Sequence, residues 1–124
     1  MIYILSLVGP FILLLVEKLL PYPFVIEEIY KFLLIANNKQ LKTINVLLAG
    51  VLFSLSEAIF YFMNPIYQNN LGKILTRLIA VTPMHLTTML VMFYFMRKNK
   101  TTYKYIGLLP AILIHLSFNY LGSN

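Results

Sequence analysis

The sequence predicts an all-α fold, a polytopic transmembrane bundle of about five helices that forms one domain over residues 1–124. Three observations lead to this prediction. The chain is 60% hydrophobic and only 11% charged, whereas about a quarter of the residues in soluble domains are charged. The apolar residues fall into long runs separated by short polar connections. A chain of 124 residues has room for a single domain.

Five apolar stretches are the candidate helices. They cover residues 2–16, 23–36, 43–63, 74–96 and 103–121. A helix needs about 20 residues to cross about 30 Å of hydrocarbon. The last three stretches meet that length, and the first meets it if its helix continues to Leu20. The second is short for a spanning helix.

The composition excludes several kinds of site. There is no cysteine, so neither a disulfide framework nor a thiolate metal site can form. The net charge is +6, but the basic residues lie in short clusters between apolar runs, where orientation signals are expected. We therefore expect the lipid bilayer as a partner and no nucleic acid.

The connections predict the orientation. In a bundle of five helices, the N-terminus and the connections at 37–42 and 97–104 share one face. That face carries most of the basic residues: Lys39, Lys42, Arg97, Lys98, Lys100 and Lys104. By the positive-inside rule this face is cytoplasmic. The prediction is a multi-pass protein of the cell membrane, with its N-terminus in the cytoplasm and its C-terminus outside.

Ionisable side chains inside the predicted helices are the candidates for a functional site, because such groups are unfavourable in hydrocarbon and usually mark function. Counting from the helix midpoints places the groups of four helices in one slab about 6 Å thick. The set comprises Glu27, Glu28, Lys31, Glu57, His85 and His115, with Arg77 nearer a helix end and the amide of Asn119.

Spacing within the helices brings some of these groups onto common faces. Gly50, Phe53 and Glu57 are three and four residues apart, and Gly50 would let a neighbouring helix approach closely on that face. His115 and Asn119 are one turn apart and share a face.

Each residue also has a purely structural interpretation. Lys31 could simply neutralise Glu27 or Glu28, which lie four and three residues before it. Arg77 fits an interface or ion-pair residue, and a single membrane histidine is often a hydrogen-bonding link between helices. Two histidines and three glutamates at matching depth exceed what such links need, which favours a dedicated site.

Taken together, the residues fit amide hydrolysis by activated water. A carboxylate beside a cation in low dielectric, such as Glu27 or Glu28 beside Lys31, can serve as a general base. His115 and Asn119 offer a fixed pair of donors for a tetrahedral oxyanion. The same glutamates and histidines also suit a divalent metal such as Zn²⁺, although no H-E-x-x-H motif occurs.

Four motifs in these helices resemble those of a known protease family. Residues 27–31 (EEIYK) resemble the E-E-x-x-K motif of PrsW-type intramembrane proteases, and residues 50–57 (GVLFSLSE) resemble their G-x-x-F-x-x-x-E motif. Residues 77–85 are similar to their third motif, a His following an Arg. Residues 115–119 (HLSFN) resemble the H-x-x-x-N motif shared with the type II CAAX prenyl proteases, and the same superfamily includes the APH-1 subunit of γ-secretase.

The resemblance implies an intramembrane protease that cuts a membrane-protein or peptide substrate. In the CAAX branch the first Glu of its motif and a His activate water, and the last His and Asn form the oxyanion site. Carried over by motif, Glu27 is the base, with Glu28 assisting. His115 and Asn119 are then the oxyanion donors.

The second motif departs from the CAAX branch. Glu57 stands where that branch has His, so His85 is the candidate for the missing partner. PrsW-type proteins are often described as metalloproteases, and Zn²⁺ bound by Glu57, His85 and His115 is the metal hypothesis. The resemblance assigns supporting positions to Gly50, Phe53, Lys31 and Arg77.

Two other functions remain open. One is a non-catalytic membrane scaffold or binding subunit, like APH-1, in which the polar cluster fixes the bundle and recognises a partner helix. The other is a haem-binding or proton-relay protein that uses His85 and His115. Family members usually have more helices than this chain, which makes a homo-oligomer a further expectation.

Overall fold

The protein is helical throughout the part that a computed structural model describes, residues 1–17, 19–38, 40–63, 70–98 and 101–122, and these residues contain no strand. The helices are α1 (Ile2–Glu17), α2 (Pro23–Ala36), α3 (Thr43–Met63), α4 (Leu71–Met96), α5 (Thr101–Ile106) and α6 (Leu108–Gly122). The predicted all-α class is confirmed. Each of the five apolar stretches contains a helix, and Gly107 divides the last one into α5 and α6.

The helix ends follow local chemistry and lie within three residues of the predicted ends. Pro23 begins α2, at a position where a backbone N–H would have no helical partner. Asn70 caps α4, since its side chain accepts a hydrogen bond of 3.0 Å from the Lys73 backbone N–H. This cap starts α4 at Leu71, earlier than predicted. Helix α1 ends at Glu17, close to the predicted end at Val16 and short of Leu20, so the condition for a full spanning length is not met.

The apolar core fills one half of the bundle. Helix α3 packs along α1 and α4, while α2 contacts α1, α4 and α6. Most side chains of this core come from the first turns of α1 and α3 and the last turns of α2 and α4, among them Ile2, Ile35, Val46 and Met92. The other half of the bundle contains buried polar groups and a cleft, beside further buried apolar residues such as Val81.

The core half is also the basic end of the molecule. The side-chain amide of Asn45 donates a hydrogen bond to the Tyr3 hydroxyl, which joins the start of α3 to the start of α1. The ends of α2 and α4 and the short helix α5 line a common cleft. The basic residues described at this end are Lys42, Arg97, Lys98 and Lys104. Lys39 and Lys100 lie outside the described residues.

Gly50 allows α3 and α4 to approach each other on the face of α3 that carries Glu57, as the sequence predicts. A Cβ atom at this position would lie 3.0 Å from Leu86 Cδ2 and 3.4 Å from Leu86 Cα. The close contact holds α4 against the face of α3 that carries Phe53 and Glu57.

Gly107→Ala is expected to destabilise the fold by about 1–3 kcal/mol through overpacking. A Cβ there would lie 2.8 Å from Phe95 Cβ and 3.3 Å from Met92 Cα, atoms that cannot move without shifting α4. Gly72→Ala is the matched control, because its Cβ would make ordinary contact with Asn70 Oδ1 at 3.5 Å. Chemical unfolding in detergent measures both variants. If Gly107→Ala proved as stable as Gly72→Ala, the close packing of α5 and α6 on α4 would be wrong.

Two of the described helices are long and apolar enough to cross a membrane. The qualifying segments are Thr43–Phe60 in α3 and Leu71–Met96 in α4. Helix α1 contains a shorter apolar segment, Ile2–Val16.

Candidate functional site

A cleft of about 800 Å³ opens between α1, α2, α3, α4 and α6, in the half of the bundle that the apolar core leaves. This size is typical of a ligand site. Its apolar lining is mostly aromatic and includes Phe11, Leu14, Phe24 and Phe60. Its polar lining, which we call the polar wall, consists of Glu27, Glu57, Arg77, His115 and Asn119.

Consecutive glutamates of α2 occupy different environments. The side chain of Glu27 is 17% exposed and lines the cleft, whereas that of Glu28 is 0% exposed. Successive residues of an α-helix point about 100° apart, so one turn of α2 can serve both the cleft and the interior. Glu28 lies behind the polar wall together with Lys31 and His85, which are also fully buried.

Lys31 is the centre of the buried group. Its Nζ donates hydrogen bonds to Glu28 Oε1 at 2.6 Å and to His85 Nδ1 at 2.7 Å. The same atom lies 4.7 Å from the centroid of the Phe53 ring, within cation–π range. A buried ammonium group is stable only with such partners. Of the two glutamates that the spacing offered, the structure pairs Lys31 with Glu28.

The contact with Lys31 determines where His85 carries its proton. An ammonium group has only donors, so His85 Nδ1 must accept and the ring proton lies on Nε2. Nε2 then donates to Glu57 Oε2 at 2.7 Å. Arg77 lies on the other side of this carboxylate, with Nη2 4.0 Å from Glu57 Oε1.

His115 carries a proton on its other nitrogen. Its Nδ1 donates to Glu28 Oε1 at 2.8 Å, the same oxygen that accepts from Lys31. Its Nε2 lies 3.9 Å from Glu27 Oε2, at the cleft. The imidazole planes of His115 and His85 are almost perpendicular, with centroids 5.7 Å apart.

These contacts form one continuous chain of hydrogen bonds, which we call the polar chain. It runs from Glu57 through His85, Lys31 and Glu28 to His115 and joins α3, α4, α2 and α6. The two ends line the cleft and the three middle groups are fully buried. The interior therefore connects Glu57 and His115, two groups of the cleft lining, through buried hydrogen bonds.

Charge at the site is nearly balanced. Three carboxylates face two permanent cations, Lys31 and Arg77, so with both histidines neutral the site carries one excess negative charge. One additional proton would make it neutral, which is the favoured state for charges removed from water.

Three of the donor groups lie close enough together to be compared with a metal site. Carboxylate oxygens of Glu27 and Glu57 and a ring nitrogen of His85 lie within 4.8 Å of one another, so the grouping contains Glu27 in place of the predicted His115. A histidine that binds a metal normally donates its second N–H to an acceptor. In His85 the second nitrogen faces the Lys31 ammonium, which cannot accept. The residues as arranged do not fit Zn²⁺.

The structure brings together all ten residues singled out in the sequence. Three aromatic residues of the cleft were missed: the rings of Phe11 and Phe60 lie 4.4 Å apart, and that of Phe24 lies 6.2 Å from the His115 ring. A signal was present for two of them, because Phe24 and Phe60 are each three residues from a predicted glutamate, on the same helix face. Nothing in the sequence singled out Phe11.

Comparison with protein-family models, with curated proteins and with solved structures gave no match for this chain. The resemblance to PrsW-type proteases therefore depends on the four motifs alone. What the site can do has to be argued from its geometry.

Proposed function

We propose that the protein is an intramembrane protease, a multi-pass helix bundle that hydrolyses a peptide bond of a membrane-protein substrate with activated water. The observation that carries this proposal is the cleft wall on which Glu27, Glu57, His115 and Asn119 lie together, supported from behind by the buried polar chain. The wall combines a candidate base with candidate oxyanion donors, which are the groups that this chemistry requires.

The surface of the helices supports a membrane location. Large apolar side chains are exposed on all six helical segments. Only 33% of the candidate span in α3 and 39% of that in α4 is buried, whereas a core helix of a soluble protein would be mostly buried. Extensive exposed apolar surface indicates contact with lipid. The cations gathered at one end favour the orientation with the N-terminus in the cytoplasm.

The cleft suits a peptide segment drawn from the bilayer. Its aromatic lining residues, Phe11, Phe24 and Phe60, can pack against the hydrophobic side chains of a membrane-spanning substrate. The polar wall then faces the peptide group. Carboxylate oxygens of Glu27 and Glu57 lie within 4.8 Å of each other, a separation that one water molecule can bridge.

The proposed reaction starts with the extra proton on His115 and with Glu27 ionised. Glu27 takes a proton from water while the water oxygen bonds to the substrate carbonyl carbon. His115 Nε2 and the Asn119 amide donate hydrogen bonds to the oxyanion that forms. When the C–N bond breaks, the proton on Glu27 passes to the leaving nitrogen. Glu57, held by His85, positions the water.

A reconstituted cleavage assay tests the proposal. The wild-type protein in liposomes is incubated with a panel of single-span membrane proteins, and new chain ends are identified by mass spectrometry. We expect cleavage within a substrate span. We also expect cleavage to survive a zinc chelator, because the arrangement of His85 does not fit the metal. A folded wild-type protein that cuts no substrate in the panel would count against hydrolysis.

A non-catalytic scaffold is the second candidate, and one observation favours it. Glu28, Lys31 and His85 are fully buried and mutually hydrogen-bonded, as they would be in a network whose task is to join helices. This candidate predicts a stable complex with a partner helix that is never cut. The haem hypothesis has no such support, because Lys31 and Glu57 engage both ring nitrogens of His85.

A further inference from the structure

A second cleft lies at the basic end of the bundle, away from the candidate active site. It has a volume of about 280 Å³ and is formed by the ends of α2 and α4 together with α5. Its polar groups are Asn38, Arg97 and Lys104, and its apolar surface includes Phe32, Phe93 and Tyr105. The hydrolytic mechanism uses none of these residues.

The charge of this end is almost wholly positive. Arg97 and Lys104 line the cleft, and Lys42 and Lys98 lie on the same end of the bundle. The sequence has no Asp, and its four Glu are residues 17, 27, 28 and 57, none of which belongs to the segments at this end. The carbonyl ends of α2 and α4 offset about half a charge each, which still leaves an excess of cations without a carboxylate partner.

The cleft wall combines these cations with aromatic rings. The guanidinium of Arg97 lies 5.5 Å from the centroid of the Phe93 ring, and the rings of Phe32 and Tyr105 are 5.7 Å apart. Aromatic side chains with one apolar and one polar side are typical of the headgroup level of a bilayer. Arginine, lysine and amide donors are the groups that bind phosphate oxygens.

We propose that this cleft binds the phosphate of an anionic phospholipid, with the acyl chains lying along its apolar wall. Arg97 and Lys104 contact the phosphate oxygens, and Asn38 lies beside them at the cleft edge. Basic pockets between helices at the cytoplasmic side are sites where such headgroups bind. The inference depends on the membrane location proposed above and is independent of hydrolysis.

A specific site differs from a general attraction between cations and an anionic surface. Arg97 and Lys104 converge on one cleft, whereas Lys42 and Lys98 do not line it. Lys98 instead lies 4.5 Å from the centroid of the Tyr94 ring. The variant Lys42→Gln/Lys98→Gln therefore removes the same charge from the same end of the bundle and serves as the matched control for Arg97→Gln/Lys104→Gln.

The test counts bound lipids by native mass spectrometry of delipidated protein in non-ionic detergent. The probes are phosphatidylglycerol, phosphatidylcholine and inorganic phosphate. We expect one phosphatidylglycerol to be retained in preference to phosphatidylcholine. In Arg97→Gln/Lys104→Gln its affinity should fall about thirtyfold, or about 2 kcal/mol, while the control double variant stays near wild type. Unfolding midpoints establish that all variants are folded.

Three results would overturn the lipid site. An equal loss of phosphatidylglycerol affinity in the two double variants would mean diffuse attraction. Equal retention of phosphatidylglycerol and phosphatidylcholine would mean that charge is not recognised. Full competition by inorganic phosphate would mean a site for free phosphate. Partition of the wild type into phosphatidylcholine liposomes is measured in parallel. Failure to partition would contradict the membrane location and with it both proposals, whereas lipid binding without proteolysis would contradict hydrolysis alone.

Discussion

Glu27→Gln is expected to lower the rate of peptide hydrolysis by about 10²–10⁴-fold, the usual contribution of a general base. Glutamine keeps the shape of the side chain but cannot take a proton from water. Because the substitution preserves the volume of the side chain and Glu27 is partly exposed at the cleft, the unfolding midpoint should change little. Initial cleavage rates in liposomes, measured beside that midpoint, separate lost chemistry from lost structure.

Glu17→Gln is the matched control for this variant. It removes a carboxylate from the last residue of α1, a residue that the proposed mechanism does not use, and the wild-type rate is expected. A Glu27→Gln protein that retains the wild-type rate would contradict the proposed base. If Glu57→Gln then lost the activity, the roles of the two cleft carboxylates would have to be exchanged.

Lys31→Met is expected to destabilise the protein by about 3–5 kcal/mol, the usual consequence of breaking a buried ion pair. Methionine fills most of the volume, but Glu28 would keep a buried charge without its cation, and His85 Nδ1 would lose its donor. The free energy of unfolding in detergent measures the effect. Lys73→Met, at an exposed position near the start of α4, should change stability by less than about 0.5 kcal/mol.

A second variant distinguishes the lost ion pair from poor packing. Glu28→Gln/Lys31→Met removes both charges while the amide oxygen can still accept from His115. Because the uncompensated carboxylate is gone, the double variant should be more stable than Lys31→Met alone. If the double variant were no more stable than Lys31→Met alone, or if Lys31→Met had no effect on stability, Lys31 would not hold the polar chain together.

The sequence was sufficient for the helices because apolar length and turn chemistry decide them locally. The second and third apolar stretches coincide with α2 and α3, and Pro23 and Asn70 mark helix starts through effects that need no tertiary contact. The break at Gly107 was not predicted, although Pro110, which has no backbone N–H to donate to the Ile106 carbonyl, was a local signal for it.

Much of the site could be predicted as well, because charged side chains in apolar helices are rare and gather with one another. The separate roles of these side chains could not be predicted from the sequence. Whether Glu27 or Glu28 faces the cleft depends on the rotation of α2 in the bundle. The proton positions on His85 and His115 depend on which neighbour donates to each ring, and the partners of those rings lie on other helices.

The proposed hydrolysis requires that water reaches the polar wall inside a bundle surrounded by lipid. The chain has no cysteine, so a single introduced thiol can report on this directly. Phe11 and Ile12 are neighbours near the middle of α1, and both are exposed, at 37% and 52%. Phe11 lines the cleft, whereas Ile12 is not among the lining residues.

The decisive measurement is the reaction of a charged, membrane-impermeant thiol reagent with Phe11→Cys and Ile12→Cys in liposomes, with labelling after denaturation as the control. We expect Phe11→Cys to react from the aqueous side and Ile12→Cys to be protected by lipid. Protection of both thiols would mean a dry cleft that cannot support hydrolysis. Reaction of both would mean that this face of α1 is in water, which would contradict the membrane location.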